Sequence, residues 1–256
     1  YLDRRSGEMI KYKDDKTVFN LNVRTKYTDN HLYEKDNDEK STNLYEISPS
    51  LSSQYHNDTQ MLQLGLWVKS RKVSNFSEDD STDSYGLAKY HYKLRENQSV
   101  IVSSAFFNHY LDRGTGLSKG RGPQLGERDH RKSYFVNAAH QLGNEDSNAI
   151  LTSMFGFRNT HFENRPEATA GLNLSANYLF FDFQYRLGGR SYLTTKFAFE
   201  DIAHDIGEQQ DRMIFSSLIG LKWHKTDYTH FDITLGALKI DFENGALDNK
   251  QDFKWD

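Results

Sequence analysis

Acid–base or metal chemistry in this chain has to come from histidines and carboxylates, because its 256 residues include no cysteine. That absence removes disulfides, thiolate zinc sites and redox thiols together. Of the remaining types, Glu200, Asp201, His204 and Asp205 cluster at a strand end, with His161 and Glu163 as a smaller group. Neither has the spacing of a His-Glu-x-x-His metal site, and no Gly-x-Ser-x-Gly nucleophile turn occurs. Catalysis would need a Ser/His or Asp/His set converging from separate elements, for which His91, His109, His140 and His230 are the candidates. The acidic runs Glu34–Glu39 and Glu78–Asp80 offer oxygen ligands to hard cations. They lack the Asp-x-Asp-x-Asp-Gly order of a dedicated calcium loop and read as solvated loops. Gly114–Gly126, around Lys119-Gly120-Arg121, follows no phosphate-loop pattern and reads as a loop folding over or into an opening. No catalytic residue, metal ligand or cofactor is assigned, and the chain reads as a protein that is not an enzyme.

The basic residues are more regular. Arg24, Lys26, Lys69, Lys89, Lys93, Arg158, Arg186, Lys196 and Lys222 fall on the polar side of segments whose alternate residues are apolar. The acids predicted on the same side are fewer: Glu46, Asp182, Glu200 and Asp232. If the apolar side meets lipid, these cations line a lumen and favour anionic solutes. As cross-strand ion pairs they would instead fill the interior. Measured ion selectivity separates the two.

Holding cations in that order takes strands, whose side chains alternate between two faces. From Thr17 to Thr28, Phe19, Leu21, Val23 and Tyr27 oppose Asn20, Asn22, Arg24 and Lys26. Tyr45, Ile47, Leu51 and Tyr55 oppose Glu46, Ser48, Ser50 and Gln54, and the pattern recurs at 62–68 and 88–94. Further strands are predicted near 99–111, 132–141, 148–158, 168–187, 191–203, 212–224 and 228–242. The 99–111 segment is apolar on both sides. In 168–187 the apolar side flips after Phe180, and with no Gly or Pro between Asn177 and Asp182 a β-bulge within one strand is expected. Tyr27, Tyr45, Tyr55, Tyr178, Tyr185, Tyr192, Trp223 and Tyr228 lie near strand ends, where an aromatic girdle would meet a lipid–water boundary.

Connections alternate in length. Short ones are expected at 14–16, 56–59, 95–98, 143–147, 188–190 and 225–227. Long polar ones are expected at 29–43, 70–84, 112–131, 159–167, 203–211 and 244–252. Tight turns at one end and long loops at the other are the grammar of an outer-membrane barrel. Composition agrees: aromatics reach 14% although mean hydropathy is -0.80. No apolar run approaches the ~18 residues of a membrane-crossing helix, and a net charge of -4 gives no reason to expect nucleic acid. The expectation is an all-β fold, a transmembrane antiparallel up-and-down β-barrel with alternating short turns and long loops, truncated at both ends. Residues 1–256 would form one β-barrel domain of about eleven complete strands plus partial ones at 7–13 and 253–256. Even strand numbers in single-chain bacterial barrels then imply at least about 14 in the whole protein.

The turn Leu187-Gly188-Gly189-Arg190-Ser191-Tyr192 follows a long aromatic strand, with Trp223-His224-Lys225-Thr226-Asp227-Tyr228 and Asp252-Phe253-Lys254-Trp255-Asp256 further on. In these features the C-terminal half resembles the porin-like outer-membrane β-barrels found with exopolysaccharide and capsule export genes of Gram-negative bacteria. The resemblance implies a conduit or scaffold for polysaccharide export in the bacterial outer membrane. Its implied partners are lipid, lipopolysaccharide, a polysaccharide and an export-machinery protein. A solute-diffusion porin with anion preference is the alternative in the same place. A soluble carbohydrate-active β-sandwich is the alternative of another class.

Overall fold

The computed structural model describes residues 15–29, 31, 41–112, 128–144, 146–164, 169–206, 211–224, 229–243 and 250–255. The expected partial strand at 7–13, the acidic run 34–39, the Gly114–Gly126 loop and Tyr228 lie outside them.

Twelve strands follow in chain order: β1 (Lys16–Thr28), β2 (Thr42–His56), β3 (Gln60–Val73), β4 (Ser81–Arg95), β5 (Gln98–Tyr110) and β6 (His130–Leu142). After them come β7 (Ala149–Phe162), β8 (Leu174–Gly188), β9 (Ser191–His204), β10 (Arg212–His224), β11 (His230–Phe242) and β12 (Lys250–Trp255). Each pairs antiparallel with its sequence neighbour, giving one up-and-down sheet in the order β1 to β12. Among the described residues β1 and β12 do not pair, so the sheet is open and these strands are its edges.

Register sorts the side chains. Phe19↔Leu51, Leu51↔Leu66 and Leu64↔Ala88 share one face, and Phe155, Phe183, Leu221 and Ile233 fall on it further along. Every exposed large hydrophobic residue except Ile206 lies on this face. The opposite face carries most of the charged side chains, yet Ala176, Thr194, Ile202, Asp83 and Asp182 on it are buried. No second layer covers either face among the described residues. Burial on one face alone therefore means that its side chains converge and the sheet curls toward them. We call this the inner face and the apolar one the outer face.

Short connections need special backbone. Gly143 (φ 90°) precedes β7 in a conformation that L side chains avoid, and a Cβ there would collide with the Ala149 carbonyl oxygen. Gly189 (φ 53°) closes the tight β8–β9 hairpin.

Three expectations change. The flip within 168–187 is not a bulge: β8 begins only at Leu174, and pairing on both sides runs through residues 174–185 without a shift. What changes is the chemistry of the inner face, where Ala176, Tyr178 and Phe180 replace the polar residues found lower down. Tyr178 covers Gly156, whose missing Cβ leaves room for the ring, and its hydroxyl donates to Asn137 Oδ1. Second, 70–84 is not a long loop. β3 and β4 extend to Val73 and back from Ser81, around a 3-10 turn at Ser77–Asp79. Their polar residues are strand residues paired across the sheet. Third, Tyr178 and Tyr192 leave the predicted girdle, because register puts them on the inner face. Tyr27, Tyr45, Tyr55, Tyr185 and Trp223 stay on the outer face and are exposed.

Candidate functional site

All nine predicted cations lie on the inner face. Arg24 stands opposite Glu46, Lys26 opposite Leu44, Lys69 opposite Asp83, Lys89 opposite Gln63 and Lys93 opposite Ser99. Arg158 stands opposite Phe135 and Ala176, Arg186 opposite Tyr192, Lys196 opposite Asp182 and Lys222 opposite Asp232. Strand alternation is enough to collect them, since each is separated from its face-mates by an even step.

Their partners divide them. Lys69 Nζ meets Asp83 at 2.9 Å, Arg158 Nη2 meets Glu200 at 2.7 Å and Lys222 Nζ meets Asp232 at 3.7 Å. Arg186 lies over the Tyr192 ring, 5.7 Å from its centroid. Glu46, opposite Arg24, accepts instead from Arg71 Nε at 2.9 Å. Among the described residues Arg24, Lys26, Lys89, Lys93 and Lys196 form no ion pair. Arg131, which the sequence reading passed over, contacts His109 Nε2 at 3.1 Å but no carboxylate. Cross-strand pairing therefore neutralises part of the set and leaves the inner face with an excess of positive charge.

A second feature escaped the sequence reading. Trp67, Tyr85, Phe107 and Phe135 come from four successive strands, β3 to β6, and lie side by side on the inner face. Tyr85 and Phe107 have centroids 4.7 Å apart, and Phe107 meets Phe135 edge to face at 5.5 Å. Lys69 Nζ lies 5.6 Å from the Trp67 centroid. All four rings are half-buried, so part of each stays open to the space above the inner face. The only hint in the sequence was that 99–111 is apolar on both sides.

The histidine candidates do not converge. His91 and His109 lie on the inner face, whereas His140 is on the outer face beside Gln98 Nε2 at 2.8 Å. The side chain of His230 lies outside the described residues. Glu200 is held by Arg158, while His204 Nδ1 lies 3.2 Å from Asp211, a residue of the next loop. His161 and Asp205 approach only to 3.9 Å, both half-exposed. Among the described residues no three His, Asp or Glu side chains gather as a metal site would require.

The long-loop end carries a separate polar network. Arg128, side chain 3% exposed, donates to Ser81 Oγ (2.9 Å), to the carbonyls of Leu111 (3.0 Å) and Tyr110 (2.8 Å), and to Asp112 (3.1 Å). Arg71 Nη1 donates to the same Asp112 oxygen at 2.7 Å. Asn164 ties the next loop in, donating to the Arg128 carbonyl and accepting from the His130 amide. His31 contacts Asp79, itself 1% exposed, at 2.6 Å. Burial raises the Asp112 carboxyl, but the hydrogen bond from Arg71 and the charges of Arg71, Arg128 and Lys69 outweigh it and hold it below the usual range. Desolvation, with repulsion from Arg71, pulls Arg128 below its ordinary value, yet a guanidinium stays charged. Lys72 and Lys132, as hydrogen-bond donors, similarly hold Asp80 and Glu163 down.

Compared with known proteins, the chain matches no protein-family model and no curated protein sequence.

Proposed function

We propose that this chain forms wall strands of an outer-membrane β-barrel whose inner face lines a conduit for polysaccharide export. One observation carries the reading: exposed large hydrophobics occupy one face of a single curved sheet and most of the charges the other. An apolar surface this extensive needs an apolar partner, and with no second layer among the described residues lipid is the simplest one.

Dimensions agree. On β8 the outer face runs Leu179, Phe181, Phe183, Tyr185 and Leu187, with Asn177 and Ser175 above. At ~3.3 Å per residue and a ~40° tilt that stretch covers about 20 Å, close to the ~25 Å apolar band of such barrels. Outer residues toward the long loops turn polar, as Asn108, Lys132, Asn159 and Asp201 show.

The polysaccharide reading rests on the resemblance of the 187–192, 223–228 and 252–256 segments. The excess inner cations favour a second reading, a solute-diffusion porin with anion preference. Reconstitution of the full-length protein in planar bilayers tests both. Steady anion-selective currents support an open basic lumen, and insertion without current supports a partner-gated exporter. A protein that stays in solution and never inserts overturns the membrane assignment.

A further inference from the structure

We infer that the aromatic row on the inner face is a binding track for an acidic glycan. This rests on the conduit reading and names the class of cargo that its wall would hold. Trp67, Tyr85, Phe107 and Phe135 advance one strand at a time, about 4.8 Å per step, with each ring partly open. A row of partly open aromatic rings offers little to a channel that passes only water and small ions. It suits flat, weakly polar ring faces whose edges carry hydroxyls, which is the chemistry of pyranose units.

The charge beside the row decides between neutral and acidic sugars. Arg131, two positions along β6 from Ser133 (the partner of Phe107), flanks the row toward the long loops. Lys89, on β4 four residues beyond Tyr85, flanks it toward the short turns. Neither forms an ion pair among the described residues, whereas Lys69 is already held by Asp83. Arg131 Nε is buried and has no hydrogen-bond partner. A chain of uronate units lying along the rings would bring carboxylates to both cations, each bond being charge-assisted. Ser103, half-buried on the same face, would serve a neutral glycan equally, so hydroxyl recognition alone does not require the cations.

The full-length protein in planar bilayers provides the test, with three blockers added in turn: an oligogalacturonate, a neutral gluco-oligosaccharide of the same length, and oligoglutamate. Oligogalacturonate should block conductance at concentrations at least tenfold below the other two. Trp67→Ala and Phe107→Ala should weaken that block about tenfold and leave block by oligoglutamate unchanged. Trp67→Phe should retain it, which guards against loss through misfolding. Arg131→Gln and Lys89→Gln should weaken block by both anions. Equal block by oligoglutamate would reduce the track to a general anion field, and equal block by the neutral sugar would remove the role of the cations. Conductance without block by any sugar overturns the track but leaves the conduit standing. Failure to insert removes the conduit, and the track with it.

Discussion

At one end of the strands a single guanidinium, Arg128, joins residues from the β3–β4 and β5–β6 connections. At the other end, Gly143 and Gly189 set the backbone of their turns and Asn57 closes its own through Thr59 and Gln60, alongside backbone links between turns such as Gly143 N–H to the Asn97 carbonyl. The long-loop end depends on tertiary side-chain contacts between stretches far apart in sequence, such as Asn164 with Arg128 and His31 with Asp79. The short-turn end depends on local backbone geometry, with the Asn57 side chain accepting from Thr59 and Gln60 amides. Long loops cannot satisfy their backbone through their own conformation, so buried polar side chains must do it. A two-residue turn has no such freedom, and needs residues that tolerate its dihedrals.

The largest test of this contrast is Arg128→Ala. It leaves the Tyr110 and Leu111 carbonyls and Ser81 without their donor, and removes one of the two guanidiniums on Asp112, the other being Arg71. Stability should fall by about 2–4 kcal/mol, and limited proteolysis should open sites in the long loops while the β8–β9 hairpin stays resistant. Proteolysis beginning at the short turns instead would break the comparison.

Gly143→Ala is the matching change at the other end. A φ of 90° and the collision with the Ala149 carbonyl should cost about 2 kcal/mol. Hydrogen exchange should report the loss in β6 and β7, with the long-loop network unaffected.

Acid separates the ends without mutation. Asp80, Asp112 and Glu163 are held below the usual carboxylate range by Lys72, by Arg71 and by Lys132 respectively. Their contribution is complete above the unfolded carboxylate value, about 4, and is lost as pH falls through the depressed folded values. Amide protection at the long-loop end should therefore decline below about pH 4. Rising protection over that range would contradict the sign.

Lys72→Ala should do least. Its bond to Asp80 is 2.7 Å, but Lys72 is 72% exposed, so the loss should stay below about 0.5 kcal/mol in thermal unfolding.

Much of the fold was legible because strands write their two faces into alternate residues. Phe19 to Tyr27 and Arg24 to Lys26 separate by parity alone, and the nine cations follow from the same rule. Where the rule failed, a face had changed its chemistry along one strand. Ala176, Tyr178 and Phe180 are apolar but inner, so the pattern imitated a bulge. Arg71 and Asp83 are polar because they pair with neighbouring strands, Arg71 with Glu46 on β2 and Asp83 with Lys69 on β3, and in sequence they look like loop. The aromatic row was hidden differently. Each ring sits in its own strand at a different offset, and only register aligns them. Arg128 had no local signature at all, since its partners are Ser81, Tyr110 and Leu111, brought together by strands on either side.

The strict neighbour-to-neighbour order of the sheet has a consequence for assembly. Each strand needs only the one before it as a template, and only the closing of a barrel would pair an early segment with a distant late one. The chain can be added hairpin by hairpin to a growing edge, each step closing a short loop before the next begins. Such a process extends or shortens by whole hairpins without disturbing the rows already laid down.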